Sequence, residues 1–408
     1  MKIRSVTYFE NPGDPVQADR ISRSAKFALE AKKIFEFTEY QVQTIRFASP
    51  PFPLFISSLE AGHVVTYAKE IEQSLTAIGF DYFSLGPAIP SHPDSYSIIP
   101  DIIQSTDNTF CSGVMTDPQK GISLKSVHAC GEIIHQLAPI EPNGFANLYF
   151  AALGNVPPGA PFFPAAYHGA ENPRFAIAVE AADLAVKAFE GAESFEEARS
   201  NLIDLLEDHA QKLTLVSRDL EQLTSAVFGG IDYSLAPFPE EKLSIGTALE
   251  SLGVERLGNF GSLTAAAFLA DTIDRADFPR AGFSGLMLPL LEDAVLAKRA
   301  AEGLLGIKDF LLYSTVCGTG LDTIPLPGDL TADQLTAVLF DLAALSVRLD
   351  KPLTARLMPI PGKQAGDPTT FDFPYFANSK IVDVQGEGLI SLFSGDGYLD
   401  LKPRNNRS

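Results

Sequence analysis

LLYSTVCGTGLDTIPLPGD, residues 311–329, decides how the rest of the chain is read. An apolar run ends in a turn that holds a lone cysteine, Cys317, and two glycines, Gly318 and Gly320. Two prolines and the aspartates Asp322 and Asp329 follow. Read as a strand, DFLLYSTVCG places Cys317 at its carboxyl end, and the TIPLPGD tail becomes a loop leading to a helix capped by Asp329 or Thr331. In parallel α/β sheets and barrels, loops leaving the carboxyl ends of strands line the ligand site. The stretch is then a candidate site, with Gly318 and Gly320 allowing close approach of a ligand to the backbone.

The same alternation of apolar run and amphipathic run extends over the chain. IRSVTYF, QTIRFA, DYFSLGPA, TFCSGVM, ANLYFAALG, RFAIAVE, GGIDYSLAP, SGLMLPLL, DFLLYSTVCG and LTARLMPI are strand candidates, roughly ten in all. Between them, segments such as DPVQADRISRSAKFALEAKKIFEF and TADQLTAVLFDLAALSVRLD repeat apolar residues every three or four positions, as helices do. Strand followed by helix, repeated, implies a parallel sheet covered on both faces. No break in composition divides residues 1–408, so the expectation is a single large α/β domain, with 372–408 as a C-terminal extension packing on it. Pro- and Gly-rich passages such as GNVPPGAPFFPAAYHG read as loops at strand ends.

Composition excludes several classes of function. With 51 acidic against 31 basic residues the net charge is −20, which repels nucleic acid and anionic lipid at long range. The apolar runs are broken well short of the roughly 20 residues that a membrane span requires, and the N-terminus alternates like a strand rather than forming a signal-peptide core. Three scattered cysteines suit neither a disulfide framework nor a closed zinc site. A cytoplasmic protein with reduced thiols is expected, with a small anionic molecule as its ligand and self-association left open.

Charged residues in or beside apolar strands are the remaining candidates. Arg46 ends QTIRFA, His168 closes FFPAAYH, Glu292 follows LMLPLL, and Asp232 interrupts GGIDYSLAP. A buried carboxylate such as Asp232 needs a partner, either Arg46 or a helix N-terminus. The helix start Gly261–Thr264, with Ser262, offers amides to an anion, as do Gly318 and Gly320. His128, Glu132 and His135 share one helix face, but their spacing matches no metal motif, and a polar stripe is the expected reading. No phosphate-binding loop, dinucleotide fingerprint or nucleophile elbow is present, so the cofactor stays open and no metal is assigned.

QTIRFASPPF, FFPAAYHGAENPRFAIAVEAADLA, GGIDYSLAP, GNFGSLTAAAFLADTI, LMLPLLEDAVLAKRAAEG and STVCGTGLDTIPLPGD, in this order over nearly the whole chain, resemble the bacterial and archaeal family known as domain of unknown function 711. The resemblance implies a fold similar to pyruvate formate-lyase and its glycyl-radical relatives, a ten-stranded α/β barrel with a cysteine-bearing loop in its interior. The open doubly wound parallel sheet is the alternative. Gly397 and Tyr398 copy the end of the glycyl-radical motif Arg-Val-x-Gly-Tyr, but its Arg and Val are missing, so radical chemistry is not expected. The expected function is lyase or transferase chemistry on a small anionic carbonyl compound. Cys317, Asp232 and His168 are its catalytic candidates, and Arg46, Gly318, Gly320, Asp322, Ser262 and Glu292 its binding candidates. Hydrolysis of similar substrates and non-catalytic metabolite binding or sensing are the alternatives.

Overall fold

The apolar runs become strands and the amphipathic runs pack on them as helices. The computed structural model describes residues 1–404. Its strands are β1 (Lys2–Phe9), β2 (Val42–Ala48), β3 (Tyr82–Ala88), β4 (Thr109–Val114), β5 (Thr116–Asp117), β6 (Gly121–Ser123), β7 (Phe150–Gly154), β8 (Arg174–Glu180), β9 (Val227–Ala236), β10 (Gly320–Pro327), β11 (Leu353–Ile360) and β12 (Tyr398–Leu399). Nine of them form one sheet in the order β10-β11-β7-β4-β3-β2-β1-β8-β9, while β5, β6 and β12 make a small separate sheet. Neighbours in the large sheet are parallel except at β1/β8 and β11/β7, where the chain direction reverses. This is a mixed α/β domain with a large, mostly parallel sheet, and the expectation of strictly parallel strands is corrected at those two seams.

The candidate strand SGLMLPLL lies in an irregular extended segment. Ala281 donates its N–H to Ile231 of β9 (3.0 Å), and Leu290 donates to Asp322 of β10 (3.0 Å). One end of the segment is thus bonded to one edge strand of the sheet and the other end to the opposite edge strand. No helix among the described residues is long and apolar enough to cross a membrane. All three cysteines are free and buried.

The opening stretch folds the other way round from its sequence reading. Ile307–Tyr313 is a helix that buries Ile307, Phe310 and Tyr313, spaced by three, and the Asp309 carboxylate accepts the Gly306 N–H at its start (2.8 Å). The strand is instead GLDTIPLP, β10, buried along its whole length. Prolines usually argue against such a strand because they lack the N–H a ladder needs. Here the Pro325 carbonyl accepts from Val382 N–H (2.9 Å), so the missing N–H groups of Pro325 and of Pro327, two residues on, fall on the side away from β11. Thr331, not Asp329, caps the following helix, in a reciprocal arrangement with Gln334.

Gly320 is required by backbone packing. Its φ is +102°, and a Cβ there would lie 2.4 Å from the Thr354 carbonyl oxygen of β11. Gly320→Ala is expected to cost about 3 kcal/mol or to prevent folding, because strain and a backbone clash coincide. A shift of less than ~0.5 kcal/mol in chemical denaturation would show that β10 and β11 can part at this point without penalty.

Candidate functional site

Three arginines interrupt otherwise apolar strands, Arg4 in β1, Arg46 in β2 and Arg356 in β11. Burying a guanidinium is costly unless a carboxylate meets it. For two of the three that requirement is met by one chain of ion pairs. Arg356 Nε donates to Asp322 Oδ1 (2.6 Å) and its Nη2 to Glu292 Oε1 (2.7 Å), while Arg4 binds the other oxygen of Glu292. Burial alone would raise the Glu292 carboxyl, but Arg4 and Arg356 outweigh it and hold the group below the usual carboxylate range. Asp322 goes the other way. Burial raises it against the pull of Arg356, helped by the charge on Glu292, and its Oδ2 has no partner among the described residues.

Arg46 is the exception. Its Nε donates to Thr44 Oγ1 (2.8 Å), but no carboxylate lies within ion-pair distance and neither terminal nitrogen has a partner among the described residues. The rings of Phe163 and Tyr82 lie 5.1 and 5.6 Å from the guanidinium carbon and hold the group in place. Burial, with Arg4 close by, pushes its pKa down to about 10, so it remains a cation at neutral pH.

That cation faces a cavity of about 110 Å³ against one face of the sheet. Arg4, Arg356, Glu292 and Asp232 with Ser234 also line it. Its apolar wall is built by two segments that reach across the sheet. The passage 155–168 supplies Pro161, Phe162 and Phe163, anchored where Ser84 Oγ donates to the Ala166 carbonyl (2.6 Å) and Gly159 N–H to the Tyr167 carbonyl (2.8 Å). Phe373 and Tyr375, from the expected C-terminal extension, supply another part. Two residues of the wall, Phe110 and Phe163, also belong to an apolar cluster with Phe9, Ala48, Ala166 and Ala176.

Asp232 is fully buried but does not pair with Arg46, nor with a helix N-terminus. Its oxygens accept the amides of Phe283 (3.1 Å) and Ser284 (2.9 Å) and the Ser234 hydroxyl (2.5 Å). Burial still leaves its carboxyl above the usual range, against the lowering effect of those donors. The amides belong to a turn at Gly282, whose φ is +60° and where a Cβ would lie 2.1 Å from Asp232 Oδ2.

The structure therefore gathers Arg46, Asp232 and Glu292 at one cavity, with Asp322 directly behind Arg356. The remaining candidates lie apart from its lining. Cys317 is buried in the turn before β10 rather than after a strand. Its sulfur accepts the Gly320 N–H (3.4 Å) and its carbonyl accepts from Lys351. Gly318 donates its N–H to the Leu286 carbonyl (2.7 Å), so this amide is not free for an anion, and Gly320 is held by packing as described. Ser262 closes its own turn by accepting from Gly258 N–H (3.0 Å) and donating to the Asn259 carbonyl (2.7 Å). His168 is buried beside the end of β2, where its N–H meets the Ser49 carbonyl. The 155–168 passage on the cavity face contains no cysteine, unlike the interior loop that the resemblance implies. Gly397 is exposed, with no heavy atom outside its chain neighbours within 4 Å of where a side chain would begin. His128 and His135 meet the backbone carbonyls of Phe393 (2.9 Å) and Leu330 (3.1 Å).

Arg4 and Arg356 were not singled out from the sequence, although each breaks an apolar strand in the way Asp232 does. IRSVTYF and LTARLMPI carried the signal. Phe373 and Tyr375 had no comparable mark.

The family model described as Uncharacterised ACR (DUF711) matches residues 1–378. The chain belongs to that family. A UPF0210 protein of Pyrobaculum aerophilum is 36% identical over 255 residues, 60% of this chain and 56% of the relative's own length. UPF0210 proteins of Pyrobaculum arsenaticum and Methanopyrus kandleri are 30% and 31% identical over 83% and 74% of this chain, covering 78% and 70% of their own lengths.

Two outcomes follow from the buried charges. Arg356→Leu strands Asp322 and half of Glu292 and is expected to cost about 3–5 kcal/mol. Adding Asp322→Leu should restore most of it, because Arg4 and Glu292 remain balanced; denaturation midpoints of the single and double variants check this. His168 is 3% exposed, and burial pushes its ring down from the ordinary 6.5 to about 4. Between those values the unfolded chain binds a proton that the folded chain refuses, so stability is full above pH 6.5 and falls as the pH drops toward 4. His168→Asn should flatten that part of the stability curve by roughly 2–3 kcal/mol, measured as the pH dependence of unfolding. Parallel curves for the two proteins would mean that the ring is protonated in place.

Proposed function

We propose that this DUF711 protein is an enzyme of small-molecule metabolism that works in the Arg46 cavity, with lyase or transferase chemistry on a small anionic carbonyl compound. The observation that carries this reading is the unpaired guanidinium. Two of three cavity arginines have carboxylate partners, and the third lines the same space with its terminal nitrogens unpartnered among the described residues. Such a group awaits an anion, which it would bind through two parallel hydrogen bonds. Proton transfer falls to Ser234 and Asp232, since the hydroxyl lines the cavity and shares its proton with a carboxyl that burial has made more basic. Aromatic walls keep the site dry and strengthen both interactions.

We read the sheet as closed into a ring, with residues 279–291 as an irregular tenth strand bonded to both edge strands. Two parallel halves meeting at two antiparallel seams fit the barrel of the glycyl-radical relatives, and the cavity would then be interior. The radical itself finds no support, because the interior passage has no cysteine and Gly397 is exposed. Three unpaired thiols suit a reducing compartment such as the cytoplasm.

One observation favours a non-catalytic binding role instead. The ion-pair chain ties up Glu292, which leaves Asp232 as the one carboxylate of the lining without an arginine partner among the described residues. Titration with 2-oxo acids and turnover assays separate the two roles. Arg46→Gln is expected to weaken binding by ~30-fold, about 2 kcal/mol. Ser234→Ala should leave affinity within a few-fold and lower kcat by roughly 100-fold or more. Binding without turnover in the unaltered protein would favour the sensor, and equal affinity in Arg46→Gln would reject the site.

A further inference from the structure

We infer that the cavity selects a monocarboxylate with a compact apolar body over phosphate esters and dicarboxylates. This deepens the reading of the Arg46 site and rests on it. The first ground is the geometry of the guanidinium. The rings of Phe163 and Tyr82 lie 5.1 and 5.6 Å from its carbon and its Nε is held by Thr44, so the two terminal nitrogens are the donors left without a partner among the described residues. That pair matches the two oxygens of one planar carboxylate.

The second ground is charge. Arg4 and Arg356 are already matched by Glu292 and Asp322, so Arg46 alone remains to be neutralised. A second negative charge on the ligand would face Glu292 and Asp232 across the same small space, in surroundings that screen poorly. One charge is welcome and two are not.

The third ground is the wall. Apart from the charged groups, Gln43 and Thr44, the lining beyond Arg46 and Ser234 is mainly apolar, and half of those apolar residues are the aromatic Tyr82, Phe110, Phe162, Phe163, Phe373 and Tyr375. Hydroxyl or phosphoryl groups placed there would lose water without gaining partners. Size sets the limit. An apolar cavity of about 150 Å³ holds benzene, so about 110 Å³ suits a branched chain of roughly five carbons and sets a single ring at the upper limit.

Calorimetric titration of the full chain with 3-methylbutanoate, benzoate, benzamide, succinate and inorganic phosphate tests the inference, with Arg46→Met as the second protein. At least one monocarboxylate is expected to bind, with benzamide, succinate and phosphate tenfold weaker or more. In Arg46→Met the preference for benzoate over benzamide should vanish. That variant removes a half-buried charge with no carboxylate partner among the described residues, so its unfolding midpoint should be no lower than that of the unaltered protein, which separates lost binding from lost folding. Succinate or phosphate binding more tightly than both monocarboxylates, and only when Arg46 is present, would overturn the ligand class while leaving the Arg46 site intact. Absence of anion binding, or anion affinities unchanged by Arg46→Met, would overturn the site and the ligand class together.

Discussion

Everything around the cavity is arranged by the need to bury charge in balanced sets. Arg4, Glu292, Arg356 and Asp322 form one continuous chain that pins β1, β11, β10 and the segment entering the helix at Ala294 to each other. Removing any member leaves a neighbour charged and dry, which costs more than the pair contributes when intact. The chain therefore acts less as a source of stability than as a constraint on which strands lie side by side. It also defines what is unusual about Arg46, which shares the same surroundings without a partner.

The two faces of the sheet are filled differently, and this makes room for the cavity. On one face, long amphipathic helices such as Ala18–Glu36 and Ala332–Leu349 bury continuous aliphatic and aromatic stripes. On the other, the chain sends in irregular segments, 155–168 and the region of Phe371–Phe376. Their rings meet edge to face, for example Phe110 with Phe163 and Phe145 with Phe373. The polar groups at the gap are the ones an enzyme or a binding protein would use.

Elements with a clear period were legible. The runs at β1, β2, β3, β4, β8, β9 and β11 became strands, and the four-turn and longer helices lie where the apolar spacing placed them. The misreading at residues 311–329 has two local causes. Ile307–Tyr313 is too short for its period to stand out from a strand, and the prolines of β10 disguise a strand whose missing N–H groups fall on the side away from β11. Cys317 consequently moved from the exit of a strand to a buried turn. The glycines around it proved to serve packing, as the Gly320 contact with Thr354 shows.

By itself the sequence determined the periodic elements, the single α/β domain and the presence of isolated charges, Arg46 and Asp232 among them, in strands that must be buried. It did so because period and polarity are local properties. Only the tertiary structure decided which charge meets which. Arg4 and Glu292 are 288 residues apart, Glu292 and Arg356 64, and Asp322 and Arg356 34. Their pairing depends on strand order and register, which no short stretch encodes. That pairing uses up two arginines and leaves the third facing a cavity.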